Sequence, residues 1–251
     1  RQLHPFSLTD TGVAPPPRRN ERGELPPLPP AERMPYAKLC RAAENEFVGA
    51  PTGAMDQMAS MHGREGHAVF LDTRFMAIEH IPFDLSGRGL ALVVMDTRAP
   101  HRHVDGEYAA RRRDCERAAR LLGVPALRDA AVADLATLPR SLLPRARHVV
   151  TENARVVEVA DLLRSGADPR RIGPSLTASH VSLRDDFEIT VPEVDAAVDT
   201  LLEAGAYGAR MTGGGFGGCV IALVEDTAVD ASVSAVESAY AERGFDPPTW
   251  F

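Results

Sequence analysis

Nine residues, Met211-Thr-Gly-Gly-Gly-Phe-Gly-Gly-Cys219, limit what this chain can fold into more than any other stretch. Five of the six positions from Gly213 to Gly218 are glycine. Each would cost about 1 kcal/mol against alanine inside a helix, so the run reads as neither a helix nor a strand interior. Such a run suits a sharp turn, or a backbone that must lie against a ligand with no Cβ between them. Its successive N–H groups can form a concave anion site. A mobile surface turn is the plain alternative. The flanks are apolar, with Ala209 and Met211 before the run and Cys219 to Val224 after it. They imply a loop held between two buried segments, so we read it as a ligand loop, most simply for phosphate.

The loop also spells G-x-G-x-x-G through Gly213, Gly215 and Gly218. A dinucleotide fingerprint needs a strand before it and a helix opening at its end. Here Cys219-Val-Ile-Ala-Leu-Val224 follows and reads as a strand, and no further βαβ unit comes after it. A Walker A loop is excluded as well, because Lys38 is the only lysine in the chain.

The 251 residues suffice for one large domain or two small ones, and a hydrophobic share of 44% with 25% charged residues is that of a soluble globular protein. A net charge of −7 gives no drive toward nucleic acid or an anionic membrane. Three scattered cysteines, Cys40, Cys115 and Cys219, suggest reduced thiols in a cytoplasmic setting, with Cys219 expected as a small buried hydrophobe. The chain opens at Arg1 and reads as a piece or a processed product.

Residues 1–35 carry Pro15-Pro16-Pro17, Pro26-Pro27 and Pro29-Pro30, and read as a disordered or extended segment. Apolar spacing then predicts a helix from Tyr36 to Val48, stopped by Gly49. Pro51-Thr-Gly-Ala-Met-Asp-Gln57 turns into a short helix, where Asp56 between Met55 and Met58 is expected to be partly buried. His67 to Leu71 and Met76 to Ile81 read as a hairpin. Leu90 to Met95 reads as a strand buried on both faces. His101 and His103 lack a third metal ligand. Tyr108, Arg112, Cys115, Ala119 and Leu122 mark a helix, and further helices are predicted over the leaner stretch from Ala130 to Leu143, broken by Pro139 and Pro144, and over Ala146–Leu163, Ser175–Leu183, Val191–Ala204 and Val229–Arg243. The run Arg111 to Arg113 reads as a solvated helix face. Phe245 to Phe251 reads as the approach to another strand. Early strands, central helices and a late strand–helix pair argue an α+β fold, with helices on one side of a mixed or antiparallel sheet.

Four stretches in this order resemble one family: Ala43-Glu-Asn-Glu-Phe-Val-Gly49, Pro51 to Gln57, Ser179-His-Val-Ser-Leu-Arg-Asp-Asp186 and Arg210 to Cys219. They look like galactokinase, of the GHMP small-molecule kinases, over about Leu39 to Phe245. The resemblance implies residues 36–89 as a remnant of the GHMP kinase N-terminal domain and 90–251 as its C-terminal, ferredoxin-like domain. It implies phosphoryl transfer from ATP, with Mg2+, to the C1 hydroxyl of α-D-galactose, in a cytoplasmic and monomeric protein. Asp56 would then be the general base at that hydroxyl, by accepting the proton or by orienting the group. Gly53 and Tyr108 would line the sugar pocket and Glu44 would ligate magnesium. Gly213, Gly214, Gly215, Phe216, Gly217 and Gly218 would form the turn near the phosphates and the catalytic aspartate.

The sequence departs from that family in three places. It has no Gly-Glu-His-Thr-Asp type sugar motif, no arginine ahead of one, and no serine-rich phosphate loop before the Ala43 motif. These 251 residues alone are therefore expected to show little or no activity, and to expose apolar faces that a larger sheet would cover. A kinase for N-acetylgalactosamine or arabinose, and a non-catalytic galactose sensor, remain open alternatives.

Overall fold

The computed structural model describes residues 28–49, 53–100 and 104–251. The prolines before Pro29, the pair Pro51-Thr52, and His101 and His103 lie outside the described residues. The chain forms two compact units, Arg1–His80 and Ile81–Phe251.

In the first unit, helix α1 (Pro30–Ala42) opens with proline in its first turn, where the missing N–H has no helical partner to lose. That start lies six residues ahead of the apolar period that begins at Tyr36. After Ala42 the helix widens into a π-helical turn, Ala43–Val48. Gly49 ends it at φ 80°, a left-handed conformation that glycine adopts at little cost, and returns its N–H to the Glu44 carbonyl. Helix α2 (Met55–His62) follows. Ala37, Ala54 and Met58 make a small core, covered by Met34, Met61 and Ile78. Strands β1 (His67–Asp72) and β2 (Ala77–Pro82) pair in a two-stranded sheet. His80 Nε2 donates to the His62 carbonyl at 2.7 Å and ties β2 to the end of α2. Phe47, Met55 and Phe75 are exposed.

The second unit is built on strands β3 (Leu90–Asp96), β4 (Gly208–Thr212), β5 (Cys219–Glu225) and β6 (Thr249–Trp250), in the order β4-β5-β3-β6. Every pairing is antiparallel. Val93 and Met95, Val220, Ala222 and Val224, and Ala209 and Met211 are all buried in one core. Their period of two puts them on one face of the sheet. Helices α6 (Pro192–Glu203) and α7 (Val229–Arg243) pack there through Val194, Val198, Leu201, Val233, Val236 and Tyr240. The buried Tyr240 hydroxyl donates to the Glu193 carbonyl at 2.6 Å, as a buried phenol requires. Strand β3 is less enclosed than its apolar run predicts, since Ala91, Leu92 and Val94 are only half-buried.

Helices α3 (Val104–Leu122), α4 (Leu143–Arg164) and α5 (Gly173–Ser182) complete the unit. Ala118 and Ala119 of α3 and Ala146 of α4 form a second core with Leu127, Leu135, Leu138 and Leu142. The stretch predicted as a lean helix over 130–143 is instead irregular, with a 3-10 turn at Val132–Thr137. The Asp134 carboxylate accepts the Ala131 N–H at 2.7 Å, a local bond that competes with helix propagation. Among the described residues no helix is long and apolar enough to cross a membrane.

Strand β4 is five residues long and escapes the sequence pattern. Its position depends on two glycines. A Cβ on Gly208 would lie 2.0 Å from the Gly173 carbonyl oxygen, and one on Gly173 would lie 2.0 Å from that of Tyr207. Backbone thus meets backbone where α5 begins, and no side chain fits between. Gly208→Ala is expected to lower unfolding stability by about 3 kcal/mol in urea titration, and a loss under about 0.5 kcal/mol would contradict this packing.

Candidate active site

The glycine-rich loop joins β4 to β5, with Thr212 and Cys219 paired across its base. Gly213, Gly215, Gly217 and Gly218 have φ of 95°, 89°, 132° and 88°, and Phe216 has φ 60°. The requirement for glycine is therefore conformational at four of the five positions. Gly213 and Gly214 form an open rim, since a Cβ at either would meet nothing within 4 Å. Gly215 is anchored: a Cβ there would lie 2.7 Å from the Ile189 Cβ and 2.8 Å from its carbonyl oxygen. The Phe216 N–H donates to that same carbonyl at 2.6 Å. At the far end, the Gly218 carbonyl accepts both the Thr97 N–H at 3.1 Å and the Thr97 hydroxyl at 2.7 Å. The loop is thus held on both sides of an accessible backbone rim.

Ile189 is delivered by a second π-helical turn, Leu183–Phe187, which continues α5 and ends at Glu188 with φ 53°. Two arginines grip this exit. Arg111 of α3 donates Nε to the Phe187 carbonyl at 2.7 Å and Nη2 to the Glu188 carbonyl at 3.1 Å. Arg145 of α4 donates to the Asp186 carbonyl and to Glu188 Oε2, each at 2.5 Å. Their side chains are only 13% and 12% exposed. The arginine run expected as a solvated face therefore divides. Arg112 is exposed and pairs with Glu116, whereas Arg111 turns inward. The spacing read through Tyr108, Arg112 and Cys115 thus takes the wrong arginine, and the three-residue step from Tyr108 to Arg111 was the available signal for the right one.

Below the loop, β4 is tied to two helices. His180 of α5 is fully buried and accepts the Met211 N–H at Nδ1, 3.4 Å away. Its Nε2 lies 3.3 Å from Asp195 Oδ1. Glu152 of α4 accepts hydrogen bonds from Ser179 at 2.5 Å, Arg210 at 2.9 Å and Arg155 at 2.8 Å. Burial pushes its carboxyl up, but these bonds and the two guanidinium charges override it and hold it below the usual range. Cys219, expected to be buried, is half-buried at the strand end beside Asp96.

Tyr108 is half-buried on α3, one turn before Arg111. In the first unit, Glu44 lies half-buried in the first π-helical turn, while Gly53 is exposed just ahead of α2. Asp56 stands in the first turn of α2 and is exposed, contrary to the partial burial inferred from its methionine neighbours. Gln57 and Met58 take the inward positions of that turn instead, and Met55 is itself 54% exposed. Both π-helical turns coincide with motifs singled out in the sequence, and such turns recur at functional sites. Among the described residues no three His, Cys, Asp or Glu side chains converge as a metal site. A single carboxylate such as Glu44 still suits magnesium, which keeps several waters and takes its remaining ligands from substrate phosphates.

A profile of the family described as GHMP kinases C terminal matches residues 159–242. The galactokinase of Streptomyces coelicolor is 54% identical over 221 residues, covering 86% of this chain and 57% of that protein. The galactokinase of Mycobacterium bovis is 44% identical over 221 residues, 86% of this chain and 61% of its own length. The crystal structure of Lactococcus lactis galactokinase complexed with galactose superposes with a TM-score of 0.81 at 32% identity, over 89% of this chain and 59% of that one. The chain thus spans a little over half the length of the curated relatives it matches.

The helix pair that supports the loop carries its own acid limit. His148 of α4 is 6% exposed, stacks on Phe187 at 4.5 Å, and donates Nδ1–H to the Ser182 hydroxyl at 3.0 Å. That hydroxyl in turn donates to Asp186. Burial pushes the imidazole down to about 4, with Arg155 and Arg210 adding to the shift and Glu152 opposing it. The unfolded chain therefore binds the proton first. Stability is full above the ordinary histidine range and falls as pH drops from about 6.5 toward 4, by about 3 kcal/mol in all. Urea midpoints at pH 7.5 and 5 are expected to differ in the wild type and to converge in His148→Gln. An equal acid shift in both proteins would contradict the role of His148.

Proposed function

Because the chain belongs to the galactokinase family of the GHMP kinase superfamily, we propose that it serves ATP-dependent phosphorylation of the C1 hydroxyl of α-D-galactose, giving galactose 1-phosphate. The observation that carries this reading is the glycine-rich loop, anchored at Gly215, Phe216 and Gly218 and open at Gly213 and Gly214. An open, left-handed backbone rim suits the approach of anionic oxygens. Phosphoryl transfer asks a protein for positioning and charge neutralisation more than for covalent help. The roles follow from that demand. Asp56 accepts the hydrogen bond of the C1 hydroxyl and takes its proton as the oxygen attacks the γ-phosphorus and ADP departs. Gly53 and Tyr108 contact the sugar. The rim at Gly213 and Gly214, shaped by Gly215 to Gly218, faces the phosphates. Glu44 holds Mg2+, which neutralises phosphate charge when bound. The exposure of Asp56 supports its role, because a base must be reachable by its substrate.

We read the sheet order, in which the second and third strands of the unit precede the first and fourth, as the ferredoxin-like arrangement. Location in the cytoplasm and a monomeric state complete the proposal.

The test exchanges the matched residues of the Streptomyces coelicolor relative for those of this chain and follows ADP release with galactose, ATP and magnesium. Galactose-dependent turnover is expected, and Asp56→Ala is expected to lower it by about 100-fold or more. A folded hybrid without galactose-dependent turnover would overturn the reading, and activity that survives Asp56→Ala would overturn the assignment of the base.

A further inference from the structure

We propose that Arg111 is a positioning residue that fixes the shape of the glycine-rich loop. The proposal rests on the reading of that loop as the phosphate-side loop. Two non-glycine residues flank the contact between the loop and the exit of α5, and both are left-handed: Glu188 at φ 53° and Phe216 at φ 60°. L-residues disfavour this region, and they stay in it only where their surroundings over-determine them. Arg111 touches both. Its Nη2 donates to the Glu188 carbonyl, and its guanidinium carbon lies 5.9 Å from the centroid of the Phe216 ring. Ile189 joins the two, since it follows Glu188 in the chain, accepts the Phe216 N–H and fills the space beside Gly215.

The guanidinium is suited to this and an ammonium is not. One planar group reaches the Phe187 and Glu188 carbonyls by different nitrogens and still lies over the ring. Glu107 pairs with the third nitrogen and offsets the charge of the largely buried group. Tyr108 stands one turn earlier on the same helix, so α3 carries both the proposed sugar contact and the residue that shapes the phosphate-side loop. Arg145 grips the Asp186 carbonyl and the Glu188 carboxylate, whereas Arg111 lies over the Phe216 ring.

The test measures amide hydrogen exchange on the 251-residue chain, as wild type, Arg111→Met and Arg111→Lys. In both variants exchange over 211–217 is expected to rise about tenfold or more, with segments 220–225 and 192–203 changing less than about twofold. Unchanged loop exchange would overturn the proposal. So would an equal rise throughout the unit, or full recovery in the lysine variant, which would make charge alone sufficient. In the hybrid enzyme, Arg111→Lys is expected to raise KM for ATP about tenfold while KM for galactose stays within about twofold. Equal rises in both constants would contradict a role at the loop. If the unsubstituted hybrid shows no galactose-dependent turnover, the functional reading fails, and the exchange result still decides what Arg111 does.

Discussion

The 2.6 Å hydrogen bond from the Phe216 N–H to the Ile189 carbonyl is the last of three places where α5 and its extension track β4 and the loop that follows it. At the start of α5, Gly173 lies against Gly208 with no room for a Cβ. In the helix, His180 accepts the Met211 N–H. Beyond the helix, the π-helical turn brings Ile189 to Phe216. Besides its pairing with β5, β4 and the loop after it are thus held along one neighbouring element, by two backbone approaches and one histidine side chain. A loop proposed to present its amides to an anion gains from this arrangement, because the backbone is placed before a ligand arrives and little ordering remains to oppose binding.

Charged side chains under the loop belong to the same frame. Glu152 is a largely buried carboxylate whose hydrogen bonds come from α4, α5 and β4, so it joins three elements at one point. Buried charges of this kind add little net stability when paired, but loss of one partner leaves the others unsatisfied and costs several kcal/mol. His148 lies close by and is held neutral by burial, which places an acid-sensitive group in the same support.

Much of the fold was legible because its signals are local. The helix Val229–Arg243 and the strands β3 and β5 follow from apolar period and from the stop at Gly244. The glycine loop could be placed between buried segments because Met211 and Val220 flank it. What the sequence hid was set by tertiary contact. Strand β4 is short, and its first residue is a glycine kept for a close approach that only the folded neighbour reveals. The stretch 130–143 is a local exception: its prolines already signalled a break, and the Asp134 cap turns the remainder from a helix into a 3-10 turn. Asp56 looked partly buried because methionines flank it, whereas the inward positions of α2 went to Gln57 and Met58. Arg111 sat within a run of three arginines, and charge pattern alone cannot tell which of them finds a carbonyl to bind. The motif residues of the proposed site were readable through family resemblance, whereas the side chains that support the loop required the structure.

The identity of the phosphorylated product tests the central claim most directly. Phosphorus NMR of the reaction of the hybrid enzyme with ATP, magnesium and an equimolar mixture of galactose, N-acetylgalactosamine and arabinose would resolve both the sugar chosen and the carbon that carries the phosphate. The expected result is one dominant phosphomonoester coupled to the anomeric proton of α-D-galactose. Phosphate on another carbon, a dominant product from either other sugar, or release of inorganic phosphate alone would contradict the account.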